Sequence, residues 1–186
     1  MTKAVSKQLV PVYDKPMIYY PLSTLLLAGV TEIAIVTSQE SSKAFQALFG
    51  TGGALGIKIS YLIQASPRGL ADAYLVAEDF LSGDASLMIL GDNLFHGPEF
   101  GQQLKSSYPH QGALVFGTRV SNPMDYGVVS FDKSGAVESI EEKPIHPKSD
   151  VAIPGLYFLD GSAPQRALDL SPSKRGELEI TDLNQK

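Results

Sequence analysis

The 186-residue chain contains no cysteine, so disulfides and thiolate zinc sites are excluded, a composition that fits the cytoplasm. Long apolar runs are also missing: none approaches the ~18 residues that a membrane-spanning helix requires. Lysine and arginine form no run, and net charge is −5 with a pI near 5.1. That argues against a nucleic-acid-binding surface while leaving room for a local basic pocket that takes phosphates. The three histidines, His96, His110 and His146, are scattered without metal-ligand spacing. Residues 1–8 carry no strand signal, and Lys3 and Lys7 lead into polar, proline-broken sequence instead of the apolar core of a signal peptide.

What is present is ordinary for one globular domain: 44% of residues are hydrophobic, enough for a sizeable core. Ile18, Leu22, Leu25 and Leu26 mark one face of a helix over 17–28, in which Pro21 implies a later start or a kink. A strand over 32–37, a helix over 41–49 and a strand over 57–63 follow. The glycine-rich stretch 50–56 lies between that helix and that strand without a GK[ST] ending, the wrong order for a phosphate loop, and reads as a connection. Leu70, Ala73, Tyr74, Ala77 and Leu81 trace a further helical face, then come a strand over 87–90, a helix over 98–106 and a strand over 113–119. Residues 126–131 and 137–142 flank Asp132-Lys133-Ser134-Gly135 as a hairpin; a strand over 151–159, a helix over 163–170 and a helix beginning within 175–182 complete the reading. The alternation predicts an α/β fold with a doubly wound, mostly parallel, Rossmann-like sheet and an antiparallel hairpin addition, in a single domain over 1–186.

The most informative stretch is Ser86-Leu87-Met88-Ile89-Leu90-Gly91-Asp92-Asn93. Four consecutive apolar residues suit a strand covered on both faces, and Gly91 turns the chain so that Asp92 projects from the carboxyl end, where open α/β sheets bind ligands. Two roles stay open for Asp92: a turn cap, or a ligand for Mg²⁺, which favours hard oxygen donors and keeps waters and substrate phosphates. Three other polar clusters sit next to strand ends: Lys7-Gln8, Gln64 with Pro67-Arg68-Gly69, and Glu141-Glu142-Lys143. A lysine near phosphates and a metal-binding carboxylate are the parts that nucleotidyl transfer needs. Taken singly, each also has a plain structural explanation: a solvated charge, a strand-end cap, a helix entry, an exposed ion pair.

Seven collinear motifs carry a resemblance over essentially the whole chain. Residues 6–25 (SKQLVPVYDKPMIYYPLSTL), 64–71 (QASPRGLA), 90–93 (LGDN), 126–129 (YGVV), 141–144 (EEKP), 155–158 (GLYF) and 175–182 (RGELEITD) closely resemble the sugar nucleotidyltransferases of the glucose-1-phosphate thymidylyltransferase type. The long first motif is specific to that branch; uridylyl-, guanylyl- and cytidylyltransferases share the fold and the Lys, Asp and Glu-Lys positions. The resemblance implies transfer of a thymidylyl group from dTTP to α-D-glucose 1-phosphate with Mg²⁺, giving dTDP-glucose and pyrophosphate on the way to dTDP-L-rhamnose. It implies that Lys7 contacts the triphosphate beside Gln8, that Gln64, Pro67 and Gly69 recognise thymine, and that Asp92 ligates Mg²⁺. Leu70, Tyr126, Gly127, Glu142 and Ile153 would line the sugar pocket, with Lys143 and Arg175 on the sugar phosphate. A cytoplasmic homotetramer is implied as well. Two alternatives stand beside it, a UTP- or CTP-dependent relative and a non-catalytic nucleotide-sugar-binding remnant.

Two parts of the family pattern are not in this sequence: an opening strand with a GGxGTRL loop around the triphosphate, and a second Mg²⁺-binding aspartate beyond Asp182. The expectation is an incomplete version of the enzyme, since loss of a central strand leaves backbone groups unpaired on its neighbours. The 186-residue chain should therefore release almost no pyrophosphate from dTTP and glucose 1-phosphate in a coupled assay. Turnover comparable to a relative carrying the loop would overturn that expectation.

Overall fold

The computed structural model describes residues 6–107 and 111–186; His110 and the first five residues lie outside them. In chain order the elements are β1 (Pro11–Val12), β2 (Lys15–Pro16), α1 (Tyr19–Leu27), β3 (Glu32–Thr37), α2 (Gln39–Phe49), β4 (Lys58–Ile63), α3 (Asp72–Val76), α4 (Glu78–Leu81) and β5 (Ser86–Ile89). They continue with α5 (Phe100–Ser106), β6 (Ala113–Val115), β7 (Thr118–Arg119), β8 (Gly127–Phe131), β9 (Val137–Glu142), β10 (Val151–Ile153), β11 (Leu156–Leu159), α6 (Ala163–Leu168) and α7 (Ile180–Gln185). The chain divides into two compact units, one of residues 1–67 with 89–108, the other of 68–88 with 109–186.

In the first unit β3 and β4 pair in parallel, from Glu32 opposite Lys58 to Thr37 opposite Ile63, and α2 makes the crossover that parallel strands require. Pro21 is accommodated by a later start. α1 begins at Tyr19, so the missing N–H falls in the first turn, where no intrahelical acceptor exists. Ser38 caps α2, its Oγ accepting from the Ser41 N–H. Leu22 and Leu25 of α1, Ile33 of β3, Phe45 and Phe49 of α2 and Leu104 of α5 are buried.

The second unit carries a four-stranded antiparallel sheet in the order β7-β10-β8-β9 and a three-stranded sheet in the order β5-β11-β6. The hairpin of β8 and β9 forms as the sequence predicts; Asp132 Oδ1 accepts from the Ser134 and Ala136 N–H groups and closes the turn. Two expected strands are each broken in two. Residues 113–119 divide into β6 and β7, and 151–159 into β10 and β11, whose halves join different sheets. Pro154, with no N–H to donate, sits at the second break. Antiparallel pairing is accordingly more extensive than one hairpin: β10 pairs with β7 and β8, and β11 with β6. The helix expected over 70–81 is interrupted at Ala77. β5 is half-buried along its length, not covered on both faces, because it lies at the edge of its sheet.

β11 is the apolar centre of this unit: Leu156, Phe158 and Leu159 are fully buried. Phe158→Ala should cost about 3–5 kcal/mol in urea unfolding, the usual range for emptying a packed aromatic site. Phe131→Ala, on a half-exposed ring of the neighbouring sheet, should cost less than about 1 kcal/mol.

Candidate active site

In the first unit a single 3-10 turn, Lys7–Leu9, places Lys7 against the segment that follows β5. Lys7 Nζ donates to Asp92 Oδ2 at 2.8 Å, and Asn93 Nδ2 donates to Asp92 Oδ1 at 3.0 Å. Partial burial pushes the Asp92 carboxyl up, but the hydrogen bonds from Lys7 and Asn93 and the Lys7 charge outweigh it and hold the pKa below its ordinary value. The same hydrogen bond raises the pKa of Lys7. Gln8 lies beside the turn: a Cβ at Gly91 would stand 2.9 Å from Gln8 Cγ and 3.1 Å from Ile18 Cδ1, so only glycine leaves both side chains where they are. Gln64 directly follows β4, its N–H donating to the Thr37 carbonyl, and Pro67 lies three residues further on. The structure thus brings Lys7, Gln8 and Asp92 together and puts Gln64 and Pro67 in the same unit.

In the second unit the loop into α3 is tied down by main-chain hydrogen bonds to Leu178 and by the ion pair of Arg68 Nη2 with the buried Asp72 Oδ1 at 2.6 Å. Leu178 N–H donates to the Arg68 carbonyl at 2.7 Å, and Ala71 N–H donates to the Leu178 carbonyl at 3.2 Å. Gly69 crosses this contact at φ +105°, and any Cβ there would collide with the Leu178 backbone. Leu70 follows in the same clamped entry.

Tyr126, Gly127, Glu142, Lys143, Ile153 and Arg175 form the other group. Gly127 pairs with Glu142 on β9 and with Ile153 on β10, so register alone makes these three neighbours. A Cβ at Gly127 would meet Thr181 Cγ2 at 2.8 Å and Glu142 Oε2 at 3.4 Å. Lys143, at φ +43°, donates its N–H to the Tyr126 carbonyl at 2.9 Å, a left-handed conformation that a lysine rarely adopts and that turns the chain out of β9. Arg175 Nη2 lies 3.7 Å from Glu142 Oε1, 3.2 Å from Glu177 Oε2 and 2.8 Å from Glu179 Oε2. Burial pushes the Glu142 carboxyl up, and the Glu179 charge adds to it, against the downward pull of Arg175 and Lys143.

Three neighbours escape a reading of sequence alone. Glu179, immediately before α7, has the position of a helix cap, yet its side chain caps nothing and turns to Arg175 and Ser173. Thr181 covers Gly127, and Tyr157, inside an apolar strand motif, is pushed up to about 12 by burial and by the charge of Glu142. A charged residue between apolar Leu178 and Ile180 was the one signal available.

One cluster thus offers an ammonium beside an ionised carboxylate, the other a guanidinium and a lysine beside a carboxylate that holds its proton more tightly than usual. The first suits polyphosphate, the second a hydroxylated phosphate ester. Among the described residues no group of three or more His, Asp or Glu could hold a metal ion. Asp92 fits as a single carboxylate ligand, the arrangement in which Mg²⁺ draws its other oxygens from water and substrate phosphates.

Comparison with known proteins decides the lineage, since the model of the nucleotidyl transferase family matches residues 1–186, both units. The chain belongs to that family. It is 53% identical over 185 residues to a glucose-1-phosphate thymidylyltransferase of Neisseria gonorrhoeae, covering 99% of this chain and 64% of that protein. It is 46% identical over 185 residues to the one from Mycobacterium tuberculosis, covering 100% of this chain and again 64% of the relative. The chain therefore spans somewhat under two thirds of the length of these curated relatives. A Bacillus anthracis crystal structure, assigned as a glucose-1-phosphate thymidylyltransferase and solved with a sucrose, superposes with a TM-score of 0.89 at 35% identity, covering 99% of this chain and 74% of that one. UDP-glucose pyrophosphorylase with UDP-glucose follows at 0.83 and 25% identity, covering 98% and 78%. The α/β nucleotidyltransferase fold expected from the sequence is thereby established, and enzymes of this family generally use a divalent metal. No helix among the described residues is long and apolar enough to cross a membrane.

The Glu142 pKa carries a pH dependence of defined sign. Its folded-state pKa lies above the ordinary 4.5, so the folded chain keeps a proton that the unfolded chain has released. The contribution of Glu142 to stability therefore declines as pH rises from about 4.5 through its folded pKa. Glu142→Gln should flatten that part of the Tm-against-pH curve, gaining on the wild type as pH rises, as scanning fluorimetry from pH 4 to 8 would show.

Proposed function

We propose that this chain represents a glucose-1-phosphate thymidylyltransferase, joining dTTP and α-D-glucose 1-phosphate into dTDP-glucose and pyrophosphate. The observation that carries the reading is the grouping of Glu142, Lys143 and Arg175 around Gly127, the residue types that a sugar phosphate needs, in a chain 46–53% identical to thymidylyltransferases. Both units then belong to one nucleotidyltransferase domain, acting in the cytoplasm and assembling as a homotetramer.

Lys7 would contact the triphosphate and stabilise charge developing on the α-phosphate; Gln8 would lie alongside. Gln64, Pro67 and Gly69 would recognise thymine. The clamped Gly69 turn keeps backbone groups at the α3 entry in fixed positions, and fixed donors and acceptors discriminate bases better than mobile ones. Leu70, Tyr126, Gly127, Glu142 and Ile153 would line the sugar, with Glu142 accepting from hydroxyls, while Lys143 and Arg175 orient the sugar phosphate. A phosphate oxygen of glucose 1-phosphate attacks the α-phosphorus of dTTP, a new P–O bond forms, and the bond to pyrophosphate breaks. The nucleophile is already anionic at neutral pH, so orientation and relief of charge repulsion do more for it than a general base. Mg²⁺ held by Asp92 would supply further neutralisation of the triphosphate. Lys7 must then leave Asp92, and the ammonium moves from carboxylate to phosphate as the substrate arrives.

One other reading has an observation in its favour: uridylyl transfer, by the likeness to UDP-glucose pyrophosphorylase. A thermal-shift panel of dTTP, UTP, CTP and dTDP-glucose with Mg²⁺, paired with pyrophosphate release, separates the two, because a bound ligand raises Tm by mass action. The largest shifts should come from dTTP and dTDP-glucose. A larger shift with UTP would overturn the thymidylyl assignment, whereas dominant shifts with dTTP and dTDP-glucose uphold it even where this chain, as expected, releases almost no pyrophosphate.

A further inference from the structure

We propose that Glu179 is a positioning residue: it grips one edge of the Arg175 guanidinium so that the opposite edge is presented to the anionic group of the substrate. The proposal rests on the sugar-phosphate reading of Arg175 for its ligand, though not for its geometry. Arginine carries five N–H donors in a rigid plane. Here Nε donates to Glu179 Oε1 at 3.2 Å and Nη2 donates to Glu179 Oε2 at 2.8 Å, the two parallel bonds of a fork closed on a carboxylate. Nη2 gives its second hydrogen to Glu177 Oε2 at 3.2 Å. Among the described residues, Nη1 has no acceptor. A plane gripped through Nε and Nη2 has its orientation fixed, and its two remaining N–H groups point away from the grip.

Glu179 is built for this task and Glu177 is not. The Glu179 side chain is 8% exposed against 41% for Glu177, and Ser173 Oγ donates to its Oε1 at 2.6 Å. Burial pushes the Glu179 carboxyl up, yet the bonds from Arg175 and Ser173 outweigh it and keep the group ionised below the ordinary range. A buried carboxylate with its oxygens occupied cannot rotate to another partner without leaving a charge unpaired, so the arginine has a fixed anchor. Glu142 lies farther from Arg175, at 3.7 Å, which leaves its oxygens to neutral hydroxyls.

The test uses the full chain labelled with [15N]arginine. The Arg175 Nε–Hε resonance, identified by its absence in Arg175→Lys, should be protected from exchange in the wild type. Protection should persist in Glu179→Asp and be lost in Glu179→Gln, whose amide offers one acceptor oxygen and puts an NH2 donor in place of the other. In parallel titrations with α-D-glucose 1-phosphate, Glu179→Gln should raise Kd about tenfold, the size expected for one charge-assisted bond, and leave the Kd for dTTP unchanged. The Glu179→Gln/Arg175→Lys double variant should bind no worse than Arg175→Lys alone. A resonance indifferent to Glu179→Gln, or losses that add in the double variant, would overturn the proposal. A wild type that binds neither glucose 1-phosphate nor dTTP, with the resonance still answering to Glu179→Gln, would instead sink the thymidylyltransferase reading and uphold the grip on Arg175.

Discussion

A carboxylate as deeply buried as Glu179 is tolerable only when its lone pairs are filled, and that requirement organises the cluster around Arg175. Arg175 and Ser173 fill them from a segment with no regular secondary structure, so a stretch that would otherwise wander acquires a fixed shape. The same segment carries Leu178 across the loop at Gly69 and delivers Thr181 onto Gly127. One satisfied charge thus fixes, through chain connectivity, both the α3 entry and the packing of Thr181 against Gly127.

The other charged pair obeys a different rule. Lys7 and Asp92 meet at the surface, with the lysine side chain 61% exposed, where an ion pair contributes little to holding a fold together. A weak, solvated pair is easily exchanged, because water and dissolved ions compete for both of its members. Burial holds Glu179 to one set of partners, and exposure leaves Lys7 and Asp92 exchangeable.

Much of this was legible in the sequence, and for identifiable reasons. β3 falls on the predicted residues because Ile33, Ile35, Val36 and Thr37 favour strands and lie between helix-ending and helix-starting signals, and α2 differs only by starting two residues earlier, where Ser38 caps it. The hairpin of β8 and β9 announced itself through Asp132-Lys133-Ser134-Gly135. Lys7, Asp92, Glu142 and Arg175 stand in motifs collinear with a known family, and the structure sets Lys7 beside Asp92 and Arg175 beside Glu142. The misses come from long-range pairing. Whether 151–159 is one strand or two depends on which sheets its halves meet, which no local pattern encodes. Glu179 was hidden because a charge before a helix looks like a cap.

The clamp at Leu178 is made of backbone hydrogen bonds only, so its strength is independent of which side chain stands there. Sequence drift at Leu178 can therefore change the surface of this loop while its path stays put, whereas Arg68 is held by its ion pair with the buried Asp72 carboxylate. The exceptions are proline at 178, which has no N–H to give to Arg68, and any side chain at all at Gly69. A loop held in this way can change the side chains it displays without being re-folded, an evolutionary latitude that a loop shaped by its side chains does not have.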